Sequence, residues 1–230
     1  MSRTCAPMLS DAPMTATARV IFGCGSQALY VIENLVAAGK PSPDACVDLE
    51  EGKMVGRKVL DVPILGRSDA LERYNRIGAE AIIAHGNNRL KLALAAELAE
   101  LGFAFFNALH PAAVISPFAA MGKGCIINAG ATILPQARLG DHVVVHSGVV
   151  VEHDCVLNDA VNLAPGVALA GRVEIGRGSY IYTGASVRPT TRIGAFATVG
   201  AGAVVIAEVL EGQVVVGVPA RPMREPENQK

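Results

Sequence analysis

Tryptophan is absent and aromatic residues make up only 4% of the 230 positions, although 51% of the chain is apolar. A core without large rings has to be filled by aliphatic side chains. Abundant Val, Ile, Leu and Ala beside 24 Gly suit stacked thin β-layers better than one bulky core. Charge of one sign is lacking too: the net charge is -1 and the pI about 6.5. With no basic field, neither nucleic acid nor an anionic membrane is expected as a general partner. No run approaches the ~18–20 apolar residues of a membrane span. Residues 1–17 hold no apolar h-region, so they read as a disordered leader and not as a signal peptide. The five cysteines, at positions 5, 24, 46, 125 and 155, form no CxxC pair. That pattern predicts a cytoplasmic protein with reduced thiols and no metal site.

What is present falls into two textures. From Ala18 to Phe106, short apolar runs alternate with stretches of helical spacing, as in "ARVIFGCGS" followed by "QALYVIENLVAAG". Such alternation predicts a small parallel α/β sheet of Rossmann-like type over residues 18–109, with "AFFNAL" as its last strand. After His110 every sixth residue from Ile115 to Val205 is apolar, sixteen positions without exception. The residue four further on is always small or β-branched, from Ala119 through Cys125 and Cys155 to Val209. A strict six-residue period is the signal of a hexapeptide β-solenoid with 18 residues per triangular coil, here spanning 110–224 ahead of a short tail at 225–230.

That register interprets "VVVEHDCVLNDA". Val151 and Leu157 are inward anchors and Cys155 joins the small inward column, where a free thiol acts as a small hydrophobe. His153, two after an anchor, faces outward between Glu152 and Asp154, so it cannot readily share a metal with Cys155, and the spacing offers no further zinc ligands. A neighbouring carboxylate can fix an imidazole's tautomer and raise its basicity, as a general base near neutral pH requires. A solvated surface histidine is the competing reading. His142, three after an anchor, reads as a turn residue, and His146, one after an anchor, as a candidate neighbour of a cleft.

A Gly-rich α/β unit followed by "GNN", "HPAAVIS", "VEHDC", "LAPGVALAG" and "VVGVPARPM" resembles the bacterial acetyltransferases that include sialic acid O-acetyltransferases and nucleotide-linked 4-amino-sugar N-acetyltransferases. The resemblance covers residues 18 to 224. It implies a left-handed parallel β-helix, assembly as a homotrimer with active sites between subunits, and acetyl-CoA as co-substrate. On that match His153 is the catalytic base and Asp154 orients it. Backbone groups around Ala164, Gly171, Thr183 and Ala201 would hold the pantetheine arm, and Arg221 a coenzyme A phosphate. Many relatives carry a second histidine nine residues after the first; Asn162 stands there, able to bind or polarise the donor's carbonyl but not to titrate.

The first unit would then cup a nucleotide sugar. The "GCGSQA" turn alone is weak evidence for NAD, and ~90 residues are too few for a full dinucleotide fold. Gly23 and Gly25 would let the backbone approach a diphosphate, with the helix start at Ser26 favouring negative charge. Asp48 is placed to bond base or ribose. Asn87 and Asn88 are expected at the sugar nucleotide, although two Asn after a strand also suit a helix cap. His146 completes the expected substrate contacts. Three functions remain open on the residues: N-acetylation of the 4-amino group of a UDP-, GDP- or dTDP-linked 4-amino-4,6-dideoxy sugar, O-acetylation of a sialic acid or related sugar, and a non-catalytic solenoid scaffold.

Overall fold

The computed structural model describes residues 17–50 and 52–223. All but the last residue of the expected leader, and the tail at 225–230, lie outside the described residues.

The first unit comprises β1 (Arg19–Phe22), α1 (Ser26–Ala37), β2 (Ala45–Asp48), β3 (Lys58–Val59), β4 (Val62–Gly66), α2 (Arg67–Asn75), β5 (Glu80–Ile83), α3 (Asn88–Glu100) and β6 (Ala104–Phe105). The sheet order is β3-β4-β2-β1-β5-β6. Its strands run parallel except β3, which makes a hairpin with β4, so the sheet is mixed where a purely parallel one was expected. The central strands read as continuous apolar runs because both faces are covered. Ile21 and Cys46 pack toward α1, while Val20, Phe22 and Val47 pack on the other side with Ala70, Leu94 and Leu98. The chain turns from one side of β1 to the other between β4 and β5. Beyond the carboxyl ends of β1 and β5 this leaves the crevice in which such sheets bind ligands.

The stretch Ala104–Leu109 is not one strand. Ala104–Phe105 pairs with β5, whereas Ala108–Leu109 pairs with Ile126–Ile127 and opens the solenoid two residues before the expected boundary. Asn107 makes the join. Its Oδ1 accepts from the Cys125 N–H at 2.8 Å and its Nδ2 donates to the Gly122 carbonyl at 2.9 Å, satisfying backbone groups that have no strand beside them.

From there the chain is a left-handed parallel β-helix of two-residue strands, with Ile126 paired to Val144, Val144 to Asn162 and Asn162 to Tyr180, each 18 residues on. The first face carries Ala108–Leu109, Ile126–Ile127, Val144–Val145, Asn162–Leu163, Tyr180–Ile181 and Thr198–Val199. The second face includes Thr132–Ile133, Val150–Val151 and Ala168–Leu169, and the third Arg138–Leu139, Val156–Leu157 and Glu174–Ile175. The inward anchors from Ile127 to Val205 and the small column, Cys125 and Cys155 included, form one buried aliphatic core.

The three edges between faces differ in one respect. On the edge joining the first face to the second, the left-handed turn position is always glycine: Gly130, Gly148, Gly166, Gly184 and Gly202. On the edge joining the second face to the third it is Gln136, Asp154, Arg172 and Thr190, all with φ of 60–63°. Side chains there cost roughly 1 kcal/mol each relative to glycine, least for Asp. The edge joining the third face to the first is mixed, with Gly124, Gly178 and Gly212 alongside His142, Ala160 and Phe196.

The first unit sits on the first face. Ile126 and Val144 pack with Val31, Ile32 and Leu35 of α1, and two buried amides bolt the seam. Asn34 donates to the carbonyls of Ala108 and Ile127, both at 3.1 Å, and Asn88 to those of Gly178 at 3.1 Å and Ser179 at 3.3 Å.

Candidate functional site

Two separate constellations emerge. The first is a cavity of about 730 Å³ at the crevice between β1 and β5, walled on one side by the first unit and on the other by the solenoid's first edge. It gathers Gly23, Gly25, Ser26, Asp48, His146, Ala164 and Thr183, seven of the expected site residues. Gly23 is there for a different reason from the one expected. Its φ is +126° and a Cβ would lie 2.2 Å from the Ala84 carbonyl oxygen, so glycine is required for β1 and β5 to close together. Gly25 has open space where its Cβ would be, and no side chain caps the helix start at Ser26. The first N–H groups of α1 are thus free for an anion. Asp48 is 4% exposed, and its two oxygens accept from the N–H groups of Glu50 (2.9 Å) and Met54 (2.8 Å). Its carboxylate holds the chain on both sides of the cavity mouth, and Glu50 and Lys53 add charged groups to the lining. Tyr30, Tyr180, Tyr182 and His85, not singled out from sequence, complete the wall. Tyr180 and Tyr182 stack at 4.3 Å, and both occupy non-anchor positions of the hexad, which was the available signal.

The second constellation is on the edge joining the second face to the third. His153 and Asp154 are about half exposed, and His153 Nδ1 lies 2.7 Å from Asp154 Oδ2. The left-handed turn at Asp154 folds its carboxylate back onto the preceding imidazole, and Arg172 lies 3.9 Å from the same oxygen. With Nδ1 engaged, Nε2 is the nitrogen left for chemistry. Under the ring lies Gly171, one coil on. A Cβ there would stand 2.6 Å from Nε2 and 2.7 Å from Cε1, although the backbone at Gly171 lies outside the left-handed region. Gly171 is thus the floor on which the His153 imidazole rests. Gly171→Ala should leave the melting temperature within a few degrees and lower kcat by roughly 10–10²-fold by tilting the ring. Unchanged kcat in that variant would mean that the ring position does not matter.

The two constellations do not meet within one chain. His153 lies on the second edge and the cavity on the first, a full face away. Six residues at ~3.3 Å each put such edges up to ~20 Å apart. Ala201 continues the first edge below Thr183, whose carbonyl accepts the Gly202 N–H at 2.9 Å. Arg221 is exposed at the solenoid's end, its guanidinium bonded to the Ala220 carbonyl at 2.9 Å.

Three expected residues have other employment. Asn87 caps α3, its side chain accepting from the N–H groups of Arg89 and Leu90, and Asn88 is the seam amide described above; neither lines the cavity. Asn162 is wholly buried, with no exposed surface to offer an acyl donor. It projects outward on the first face between Val144 and Tyr180, the face the first unit covers, so the expected contact with the donor's carbonyl does not fit its position. Its amide atoms, the Nζ of fully buried Lys91 on α3 and the Nδ1 of His142 lack protein partners in this seam.

Burial disfavours the charged form of three bases in the seam. The imidazoles of His142 and His146 fall to about 4, His146 further discouraged by Lys91, and Lys91 itself falls to about 7. Between pH 4 and 6.5 the unfolded chain binds the histidine protons and the native chain does not, so stability must fall as pH falls through that window. Thermal unfolding at pH 5.0 against 7.5 should show a loss of a few kcal/mol, halved when His142 is replaced by Gln. An unfolding midpoint flat across this range would contradict neutral burial.

Among the described residues no three of His, Cys, Asp and Glu converge to hold a metal ion, and no helix is long and apolar enough to cross a membrane. No family profile and no curated protein matches the chain. The solved structures do. The arrangement of an α/β unit on a hexapeptide solenoid defines the class: the chain belongs to the hexapeptide-repeat sugar acetyltransferases and is an acetyltransferase. It is similar to GDP-perosamine N-acetyltransferase (PerB) of Caulobacter crescentus, solved with CoA and GDP-perosamine, at 37% identity and a TM-score of 0.85 over 93% of this chain and 100% of that one. It is also similar to the acetyltransferase domain of PglB from Neisseria gonorrhoeae, solved with acetyl coenzyme A, at 32% identity and a TM-score of 0.82 over 90% of this chain and 100% of that one. WeeI of Acinetobacter baumannii, at 25% identity and a TM-score of 0.77, covers 90% of this chain and 100% of its own.

Proposed function

We propose that the protein transfers the acetyl group of acetyl-CoA to the 4-amino group of a nucleotide-activated 4-amino-4,6-dideoxy sugar, as a cytoplasmic homotrimer. The sugar nucleotide occupies the cavity, its diphosphate at the open N–H groups of Gly25 and Ser26 and its nucleoside under the Asp48–Met54 loop. The pantetheine arm runs along the first edge past Ala164, Thr183 and Ala201, with Arg221 for a phosphate. His153 comes from the second edge of the neighbouring chain, because no single chain brings it to the cavity. There Nε2 takes the proton from the amine as nitrogen adds to the thioester carbonyl. The tetrahedral intermediate collapses to the amide, and coenzyme A leaves as a thiolate that the imidazolium can reprotonate. Asp154 stabilises that imidazolium through the 2.7 Å contact on which this reading chiefly rests.

Thiol release from acetyl-CoA separates the substrate readings, tested with UDP-, GDP- and dTDP-linked 4-amino sugars and with free sialic acid. Release with one amino-sugar nucleotide, the GDP form foremost given the Caulobacter relative, is the expected result. Release with sialic acid alone would instead assign O-acetylation, and silence across the panel without coenzyme A binding would leave a scaffold.

A further inference from the structure

His146 is buried at 7% exposure, yet it lines the cavity at the end walled by the solenoid, opposite the nucleoside loop. Its ring is reached by a relay whose direction can be read from fixed points. Asn34 Nδ2 lies 3.1 Å from the backbone carbonyls of Ala108 and Ile127, which only accept. That orients the Asn34 amide, and the same NH₂ group lies 3.1 Å from the Oδ1 of Asn128. A reversed Asn128 would set two NH₂ groups against each other, so its Oδ1 faces Asn34 and its Nδ2 faces His146 Nδ1 at 3.2 Å. An NH₂ donor can be met there only by an unprotonated Nδ1. Because the ring is neutral, held so by burial and by Lys91, its single proton must sit on Nε2. The edge of Tyr30, 5.3 Å away between ring centroids and at 80°, keeps the imidazole from turning.

We propose that the Asn34–Asn128–His146 relay makes His146 a fixed, uncharged Nε2–H donor that positions the sugar by bonding an oxygen of its pyranosyl ring. The inference deepens the reading above and rests on it, since it assumes that the cavity takes an amino-sugar nucleotide. A donor of fixed sense selects an acceptor atom and rejects an analogue lacking it, because the buried N–H would be left without a partner. Neutrality matters equally: an imidazolium here would repel an amino sugar in its ammonium form. The relay also couples the seam to the site, since Asn34 is the amide that bolts α1 to the solenoid.

Two measurements on the full-length protein test this separately from the substrate assignment. Nitrogen-15 NMR of the unliganded protein at pH 7 should show His146 with Nε2 protonated and Nδ1 bare. In Asn128→Asp the carboxylate can only accept, so Nδ1 should become protonated. An Nδ1–H tautomer in the wild type overturns the proposal whatever the substrate proves to be. In turnover, with the amino-sugar nucleotide that wild type acetylates, His146→Leu should raise the sugar KM by about 5–20-fold with the acetyl-CoA KM unchanged. His146→Gln, which keeps an N–H near the Nε2 position, should recover most of that loss. Equal KM values for Leu, Gln and wild type would overturn the positioning role. A wild type inactive on every amino-sugar nucleotide would instead strike the functional reading and leave the tautomer result standing.

Discussion

His153→Asn should lower kcat by about 10²–10⁴-fold while leaving folding, assembly and the KM for acetyl-CoA close to those of the parent. The size of the loss follows from what the ring alone supplies. An amine attacking a thioester must shed a proton as the new bond forms, and the group that takes it has to be basic near neutral pH and within about 3 Å of the nitrogen. On the proposed mechanism His153 is that group, with Nε2 directed away from Asp154, which holds Nδ1 at 2.7 Å. Asparagine can hydrogen-bond at that place but cannot accept and carry the proton. Stability should hardly change, because the imidazole is about half exposed and contributes no buried surface to the aliphatic core. Asp154→Asn should cost less, since the ring would keep its floor at Gly171 and lose only the carboxylate that holds Nδ1. Measured by thiol release under saturating donor, wild-type turnover in His153→Asn would remove this residue from the mechanism.

The solenoid was readable in advance because its register is repeated: each coil buries the same two columns, so a single hexad pattern carries the information many times over. Cys155 illustrates the gain. A cysteine two residues from a histidine suggests chemistry until the register places its thiol in the core, where it is fully buried. The outward His153 beside Asp154 was legible by the same reasoning. Less could be read where two units meet. The run Ala104–Leu109 looks like one strand, since nothing in hydropathy says that Phe106 ends one sheet and Ala108 begins another. Asn87 and Asn88 are equally plausible as ligands or as caps, and only the position of α3 against Gly178 and Ser179 decides. Lys91 falls among ordinary helix-surface residues in the sequence, yet the solenoid covers it completely. Asn162 followed the position of a histidine in similar chains and proved to lie on the covered face. What pattern alone could not show was that His153 and the cavity lie on different edges, because a six-residue period makes all three edges look alike.

That split makes a demand that no single-chain site would meet. On the proposed function His153 of one chain works with the cavity of another, so two differently disabled chains should repair each other when assembled together. His153→Asn keeps the cavity. Gly25→Phe keeps His153 but fills the crevice, at a position where a side chain meets nothing within 4 Å and the fold should tolerate it. Each homomeric variant should be nearly inactive. In trimers assembled at random from equal amounts, about a quarter of the seams pair an intact His153 edge with an intact cavity, so activity should return to about a quarter of the wild-type level. Mixed assemblies that form, as shown by two affinity tags, and yet remain as inactive as either parent would contradict a site shared between chains.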